Sequence, residues 1–266
     1  MSLIQAAFDK RLENNQKAFI PFITAGDPSM DRTEEFILTL AENGADIIEI
    51  GIPFSDPAAD GPVIMKANVR AMENGGNIHN TFDMLERVRT KTDVPLVFLI
   101  YCNLIYSYGA DKFFAKCKDV GMNGVIIADA PFEEEGEFAP YAKANGIELI
   151  RLVSPTSSER TKAICDNAGG FLYCVSSMGV TGIRQNVSDR LSQMFDGINK
   201  YCKIPTAIGF GIADADSAAL VKDYADGVII GSALVSIIEK YADNASPHLA
   251  QFTKSIRGVL DENSRI

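Results

Sequence analysis

The chain has 266 residues, of which 47% are hydrophobic and 23% are charged, and its formal net charge at pH 7 is −10. This length suits one α/β barrel domain, and the composition is that of an ordinary globular protein. An acidic chain without a basic run is a poor candidate for binding nucleic acid or an anionic membrane. No linker or break in composition divides the chain, so we predict a single domain over residues 1–266.

Short apolar runs alternate with amphipathic segments of helix length along the whole chain. The predicted strands are residues 18–24, 46–50, 96–101, 124–129, 148–153, 171–176, 206–210 and 227–230. The predicted helices are residues 2–16, 30–43, 63–72, 81–92, 110–120, 132–145, 157–168, 188–201, 214–224 and 242–263. Strands this apolar are typical of parallel sheets buried on both faces. Eight strand–helix units predict an α/β fold of the (β/α)8 TIM-barrel type with an extra N-terminal helix; a doubly wound open sheet is the alternative.

The second predicted strand carries a carboxylate, and the loop that follows it carries another. Residues 49–62 read Glu-Ile-Gly-Ile-Pro-Phe-Ser-Asp-Pro-Ala-Ala-Asp-Gly-Pro. A charge on a buried strand is costly unless it is paired or used, which singles out Glu49. Asp60 lies in the polar loop, and two carboxylates in unlike surroundings can serve as acid and base near neutral pH. A surface glutamate and a turn aspartate are the alternatives.

Glycine-bearing turns follow the last three predicted strands, at residues 179–182, 209–211 and 231–232. Barrels of this type commonly bind a phosphate between the loops after strands seven and eight, at the N-terminus of a short helix. Glycine lets backbone N–H groups approach the phosphate oxygens, and the helix dipole supplies positive charge. Ser232 would cap that helix and bind an oxygen. The sequence therefore predicts a phosphate site that contains no cationic side chain.

Several residue types are missing from the predicted strand ends. The lysines fall elsewhere, many of them in helices, so a Schiff-base aldolase is not indicated. His79 and His248 lie in or beside helices, which argues against a histidine metal site and a Ser-His-Asp set. The polar residues that remain at this end are Glu49, Asp60, Tyr101, Asp129, Tyr173 and Thr181. This set suits acid–base chemistry without a metal or cofactor.

Two of these assignments have alternatives at this stage. Asp129 either supports catalysis or stabilises a turn, whereas Asp27 and Asp56 fall in Asp-Pro pairs where turn capping is favoured. An apolar wall suited to a flat aromatic ligand would come from residues that are otherwise typical of a barrel core. These residues are Phe22, Leu99, Ile126, Phe210 and Ile229.

Five motifs in this order and spacing resemble the tryptophan synthase α subunit family. They are IPFITAGDP, GIPFSDPAADGP, GVTG, GFGI and GSALV, and they extend from about residue 19 to residue 235. The resemblance implies a (β/α)8 barrel that cleaves indole-3-glycerol phosphate to indole and glyceraldehyde 3-phosphate. It also implies an αββα complex, in which indole passes to a β subunit that holds pyridoxal phosphate. The α subunit itself is expected to need no cofactor.

The resemblance also implies roles for individual residues. Glu49 is the expected acid–base residue, Asp60 is expected to bind the indole N–H, and Tyr173 is the third catalytic residue. Thr181 is expected on a mobile lid that meets Asp60 on closure. The expected phosphate ligands are Gly182, Gly211, Gly231 and Ser232. The expected substrate-binding residues are Phe22, Leu99, Tyr101, Ile126, Thr181, Phe210 and Ile229.

The sequence also bears on the partner and the compartment. Segment 53–62 and the loop after Tyr101, including Asn103, are the expected contacts with the β subunit. The five scattered cysteines, without a Cys-x-x-Cys pair, indicate reduced thiols and a cytoplasmic location. Ser177-Met178 stands where some family members have Arg-Ala, so details of lid closure that need that cation do not transfer.

Three other functions remain open at this stage. They are a stand-alone indole-releasing lyase, another sugar-phosphate barrel isomerase, and a regulatory barrel without activity. The isomerase would share the phosphate turns but not the Glu49–Asp60 segment, and the regulatory barrel would tolerate the loss of either carboxylate. Activity without the partner would separate the lyase from a subunit.

Overall fold

The computed structural model describes residues 2–175, 184–209 and 211–262. Its strands are β1 (Ala18–Thr24), β2 (Ile48–Gly51), β3 (Leu96–Ile100), β4 (Gly124–Ile127), β5 (Glu148–Leu149), β6 (Arg151–Val153), β7 (Leu172–Val175), β8 (Thr206–Gly209) and β9 (Gly227–Ile230). All of their pairings are parallel, and the order is β5-β4-β3-β2-β1-β9-β8-β7-β6. No helix in this part of the chain is both long and apolar enough to cross a membrane.

The predicted strand over residues 148–153 appears as two short strands. Each pairs with a different neighbouring strand, and together they complete the barrel. β5 pairs with β4, whereas β6 pairs with β7, and Ile150 lies between the two short strands. The N–H of Ile150 still donates to the carbonyl of Val125 at 2.9 Å, so the two strands follow one continuous path. The (β/α)8 barrel is therefore confirmed, and the open doubly wound sheet is excluded because the strand order never reverses direction.

The helices surround the barrel in the order that the sequence predicts, with an additional helix at the N-terminus. They are α1 (Leu3–Leu12), α2 (Met30–Glu42), α3 (Pro62–Glu73), α4 (Ile78–Arg89), α5 (Cys102–Tyr108), α6 (Ala110–Asp119), α7 (Ala139–Asn145), α8 (Ser158–Asn167), α9 (Arg184–Asn199), α10 (Ala215–Val221), α11 (Ser232–Tyr241) and α12 (Ser246–Asp261). Two 3₁₀ segments, Phe132–Glu137 and Ala242–Asn244, precede α7 and α12.

Several details of the helix prediction were wrong, and three of them have a clear physical reason. α5 occupies the stretch that we interpreted as a loop after Tyr101, and it is short because it ends at Gly109, whose φ is +91°. The single helix over residues 132–145 is instead a 3₁₀ turn followed by α7, which has a proline in its first turn. The last helix begins at Ser246 rather than at residue 242, and it too has a proline in its first turn. Proline fits there because no intrahelical partner exists for its missing N–H.

Helix α1 closes the N-terminal end of the barrel. Its Ile4 and Phe8 are fully buried and join the cluster that fills the barrel interior. At the same end, the buried Asp46 accepts hydrogen bonds from Arg11 Nε at 2.6 Å, Arg257 Nη1 at 2.7 Å and the N–H of Phe19 at 2.8 Å. These contacts tie α1 and α12 to the barrel. A small ligand can therefore enter the barrel axis only from the C-terminal ends of the strands.

Candidate active site

A cavity of about 410 Å³ opens at the C-terminal ends of the strands. It brings together nine of the residues that the sequence singled out, from both ends of the chain. These are Phe22, Glu49, Asp60, Leu99, Tyr173, Gly211, Ile229, Gly231 and Ser232. Because parallel strands all end at this face, side chains far apart in sequence converge here.

Glu49 extends from the middle of β2 into the cavity. It lies in register with Phe22 of β1 and Val97 of β3 and is only 2% exposed. Its Oε2 atom has no hydrogen-bond partner within the described ranges. Burial, together with the nearby charge of Asp60, raises the pKa of this carboxyl to about 8. At neutral pH the Glu49 carboxyl is therefore mostly protonated.

Asp60 lies at the end of the loop between β2 and α3 and is half-buried. Burial raises its pKa to about 6, while hydrogen bonds from Tyr101 and Asn68 act in the opposite direction. Asn68 Nδ2 lies 3.3 Å from Asp60 Oδ2. Asp60 is thus mostly ionised at pH 7, when Glu49 is mostly protonated. This is the separation of acid and base roles that unlike surroundings produce in paired carboxylates.

Tyr173 completes the polar side of the cavity. It is buried on β7, and burial together with the charges of Glu49 and Asp60 holds the pKa of its hydroxyl well above the usual value. The hydroxyl therefore stays neutral and able to donate a hydrogen bond. A Cβ atom at Gly209 would lie 2.6 Å from the Tyr173 hydroxyl oxygen, so a side chain at position 209 would displace the ring.

Phe22 forms the apolar wall together with Leu99 and Ile229. Two glycines make room for its ring. A Cβ atom at Gly51 would lie 2.7 Å from Phe22 Cζ, and one at Gly231 would lie 3.1 Å from Phe22 Cδ1. Ile64 and Leu152, which the sequence analysis did not select, extend the same wall. An apolar wall beside two carboxyls suits a flat apolar ring system that has a polar edge.

The N-terminus of α11 also lines the cavity, next to Phe22. Gly231 is the N-cap and Ser232 the first residue of this ten-residue helix, and both line the cavity beside Gly211. The first N–H groups of a helix have no intrahelical partner, and the helix dipole places positive potential there. Among the described residues that line the cavity there is no lysine, arginine or histidine. An anionic group would therefore be bound by amides and the hydroxyl of Ser232.

Some predicted site residues do not line this cavity. Tyr101 lies behind Asp60, where its hydroxyl accepts a hydrogen bond from the N–H of Ala59 at 3.1 Å. Ile126 is fully buried in the barrel interior. Thr181, Gly182 and Phe210 lie outside the described residues, so their roles remain predictions.

The other polar residues near the strand ends have structural partners. Asp129 is exposed and accepts from the N–H of Cys102 at 2.8 Å, a structural contact that joins the ends of β3 and β4. Asp27 is more than a turn residue, because it is buried in a two-bond ion pair with Arg70, at 2.9 and 2.7 Å. Within the described part of the chain, no cluster of three or more His, Cys, Asp or Glu side chains could hold a metal ion.

Asn68 was missed by the sequence analysis. It is 4% exposed and bonded to Asp60, on the face of α3 that also buries Ala67 and Ala71. An amide on the otherwise apolar face of an amphipathic helix is a detectable signal, since a buried polar group needs partners. The partners themselves depend on how the preceding loop folds back over the helix.

Known proteins resemble this chain over nearly its whole length. A family model described as "Tryptophan synthase alpha chain" matches residues 8–263. A curated protein of that name from Lacticaseibacillus casei is 44% identical and covers 95% of this chain and 95% of its own length. Another from Petrotoga mobilis is 47% identical, covering 91% of this chain and 96% of its own.

Solved structures show the same similarity. The tryptophan synthase alpha chain from Legionella pneumophila superimposes with a TM-score of 0.90 at 32% identity and covers 100% of both chains. A chain of the tryptophan synthase complex from Pyrococcus furiosus gives a TM-score of 0.82 at 34% identity, covering 91% of this chain and 99% of its own.

Proposed function

The chain belongs to the tryptophan synthase alpha chain family, whose reaction is the cleavage of indole-3-glycerol phosphate, and from that premise we propose that Glu49 and Asp60 catalyse this cleavage. The products are indole and glyceraldehyde 3-phosphate. One observation carries the proposal: a buried, protonated Glu49 and an ionised Asp60 line the same apolar cavity, whose lining also includes a helix N-terminus.

The protonation states suggest the order of the proton transfers. Glu49 donates its proton to carbon three of the indole ring, which produces an indoleninium cation. The anionic Asp60 stabilises the positive charge at the ring nitrogen. The Glu49 carboxylate then takes the proton of the side-chain hydroxyl on the carbon attached to the ring.

The carbon–carbon bond breaks as that hydroxyl becomes the aldehyde, and the bonding electron pair returns to the ring. Glu49 ends the cycle protonated, as it began, so protons and electrons balance without an external reagent. The ring cation serves as the electron sink, and no lysine is needed. The Tyr173 hydroxyl, which stays neutral beside both carboxyls, donates a hydrogen bond to the hydroxyl oxygen of the substrate as negative charge develops on that oxygen.

The remaining site residues would hold the two ends of the substrate. Phe22, Leu99 and Ile229 pack against the ring, and Tyr101 acts through Asp60 rather than on the substrate. Gly211, Gly231 and Ser232 bind the phosphate at the start of α11. The family resemblance adds Gly182 to this group, and it adds Thr181, Ile126 and Phe210 to the substrate side.

The pH dependence of kcat/KM tests the assigned protonation states. Activity needs Asp60 ionised, above pH 6, and Glu49 protonated, below pH 8, so we expect a bell-shaped profile with its maximum near pH 7. The substrate phosphate also titrates near pH 6. Asp60→Asn separates the two causes of the acid limb, because it removes only the contribution of Asp60. A rate that climbs steadily to pH 9 would contradict Glu49 as the initial acid.

Gly211→Ala tests the phosphate site. Gly211 has a φ of +78°, where an L-residue costs roughly 1–2 kcal/mol, and the distortion would displace the amides beside the phosphate. We expect glycerol 3-phosphate to bind roughly tenfold more weakly, measured by calorimetric titration. Gly146→Ala is the matched control: it introduces the same strain, at a φ of +69° and with no atom within 4 Å, far from the cavity. Equal loss in both variants would rule out a local effect.

The partner is the tryptophan synthase β subunit in an α2β2 complex, where pyridoxal phosphate is held by the β subunit alone. Relatives of this chain have been solved as tryptophan synthase complexes, which supports this part of the proposal. The five free thiols fit a cytoplasmic location. Segment 53–62 would form part of the contact, together with α5, which carries Asn103.

Adding the β subunit should raise the rate of indole release by about tenfold or more. A partner that binds the closed conformation of the site more tightly than the open one shifts the chain toward the closed conformation. The measurement is indole release from indole-3-glycerol phosphate by the chain alone and with a β subunit in excess. A chain that is fully active alone and indifferent to the partner would instead be the stand-alone lyase.

A further inference from the structure

The amide side chain of Asn68 forms hydrogen bonds through both its amino group and its carbonyl oxygen. Its Nδ2 donates to the carbonyl of Ile64 at 3.0 Å and to Asp60 Oδ2 at 3.3 Å. Its Oδ1 accepts from the N–H of Phe54 at 3.0 Å. A buried amide is costly unless its groups are satisfied, and here the carbonyl and the amino group both are.

These bonds connect the two ends of the segment that carries Asp60. Phe54 lies near the start of residues 53–61 and Asp60 near the end, so one amide fixes both. Most residues between Phe54 and Asp60 are exposed to solvent, namely Ser55, Asp56, Ala58 and Ala59. Apart from Pro53 and Pro57, which are buried, the segment gains few apolar contacts of its own. Its shape therefore depends on polar anchors, of which Tyr101, bonded to Ala59 and stacked on Phe54, is the second.

The neutral character of these anchors has a chemical consequence. No lysine or arginine forms an ion pair with Asp60 in the described ranges. A cation in the place of Asn68 would orient the carboxylate equally well but would neutralise it before the substrate arrives. An amide orients the carboxylate and leaves its charge available to a cation that develops on the ligand.

We infer that Asn68 is a positioning residue for the cleavage: by tying Phe54 to Asp60, it holds the Asp60 carboxylate, still charged, toward the ring nitrogen. This inference rests on the proposed function, because the role of Asn68 is exerted wholly through Asp60. The amide also favours the ionised form of Asp60, which extends the active range toward lower pH.

Asn68→Asp tests the donor. The new carboxyl still accepts from Phe54 but places a second acid against Asp60, which raises the pKa of the pair. We expect kcat to fall by at least about tenfold at pH 7 with little change in KM, and the acid limb of kcat/KM to move to higher pH. Asn74→Asp, an exposed position at the C-terminal end of the same helix, is the matched control and should leave both unchanged. An unshifted acid limb would overturn the inference.

A double-mutant cycle with Asp60→Asn distinguishes positioning from a general structural role. Asn68→Ala introduces no charge. It should lower kcat in the wild-type background but hardly change kcat in the Asp60→Asn background, because the carboxylate through which Asn68 acts is already absent there. Additive losses would overturn the inference while leaving the proposed function intact. If Asp60→Asn itself keeps full activity, both fail. Glycerol 3-phosphate titration of each variant shows that the site is folded, and Asn68→Ala takes the place of Asn68→Asp should the latter not fold.

Discussion

Glu49→Gln will lower kcat for the cleavage of indole-3-glycerol phosphate by roughly 10²–10⁴-fold, the usual contribution of a positioned acid–base group. The amide has nearly the same size and shape as the protonated carboxyl, so it should bind the substrate, but it cannot release or accept the proton. Water cannot substitute, because Glu49 is only 2% exposed. Single-turnover indole release with enzyme in excess measures the loss, and glycerol 3-phosphate titration shows that the cavity persists. Activity within tenfold of the wild type would refute the role of Glu49.

The same variant has a stability signature that requires no substrate. Folding raises the pKa of Glu49 from 4.5 to about 8, so between these values the folded chain retains a proton that the unfolded chain loses. The wild type is therefore destabilised as the pH rises through this interval, by about 1.4 kcal/mol per pH unit at most. Glutamine has no such dependence. We expect the two proteins to unfold alike near pH 4.5, and the variant to be more stable by a few kcal/mol at pH 8.5. Equal denaturant midpoints at both pH values would mean that Glu49 is not buried as described.

Asp60→Asn will lower kcat by roughly 10²–10³-fold, because it removes the negative charge that faces the ring cation in a site with little water. The phosphate end, formed by α11, is not touched, so glycerol 3-phosphate should bind nearly as before. Both quantities should be measured on the chain without its partner. Asp56→Asn is the matched control, because Asp56 is an exposed acid in the same segment. A similar loss in both variants would indicate a disturbed loop instead of a missing charge.

The alternative functions make different predictions for these two carboxylates. A regulatory barrel would bind its ligand without either of them, and a phosphorylated-sugar isomerase would not need an anion opposite an apolar wall. The geometry disfavours both, since burial and the charge of Asp60 hold the pKa of Glu49 at about 8, and its Oε2 atom has no hydrogen-bond partner among the described residues. Such an arrangement costs stability and persists where it serves chemistry.

The sequence identified the two carboxylates of the candidate site more readily than the residues that hold them in place. Glu49 was singled out because it interrupts an apolar strand, and Asp60 because it lies in the polar loop that follows, a pattern visible in any short window. Tyr101 was assigned to the substrate but lies behind Asp60, since its direction depends on the fold of residues 53–61. Asn68 was overlooked for the same reason. Ile126 was placed on the wall because it is apolar and lies on a strand, yet it packs deeper in the barrel.

By itself the sequence determined the barrel, the ends of the strands where chemistry would occur and the two carboxylates, because each depends on the order and spacing of residue types along the chain. The tertiary structure alone decided which carboxyl holds a proton at neutral pH. That depends on how much water each one loses and on the distance between their charges, and both result from packing among β2, α3 and β7, whose residues are distant in sequence. The structure likewise decided that Asp60 is held by neutral donors, since Tyr101 and Asn68 meet it only after the loop has folded back over α3.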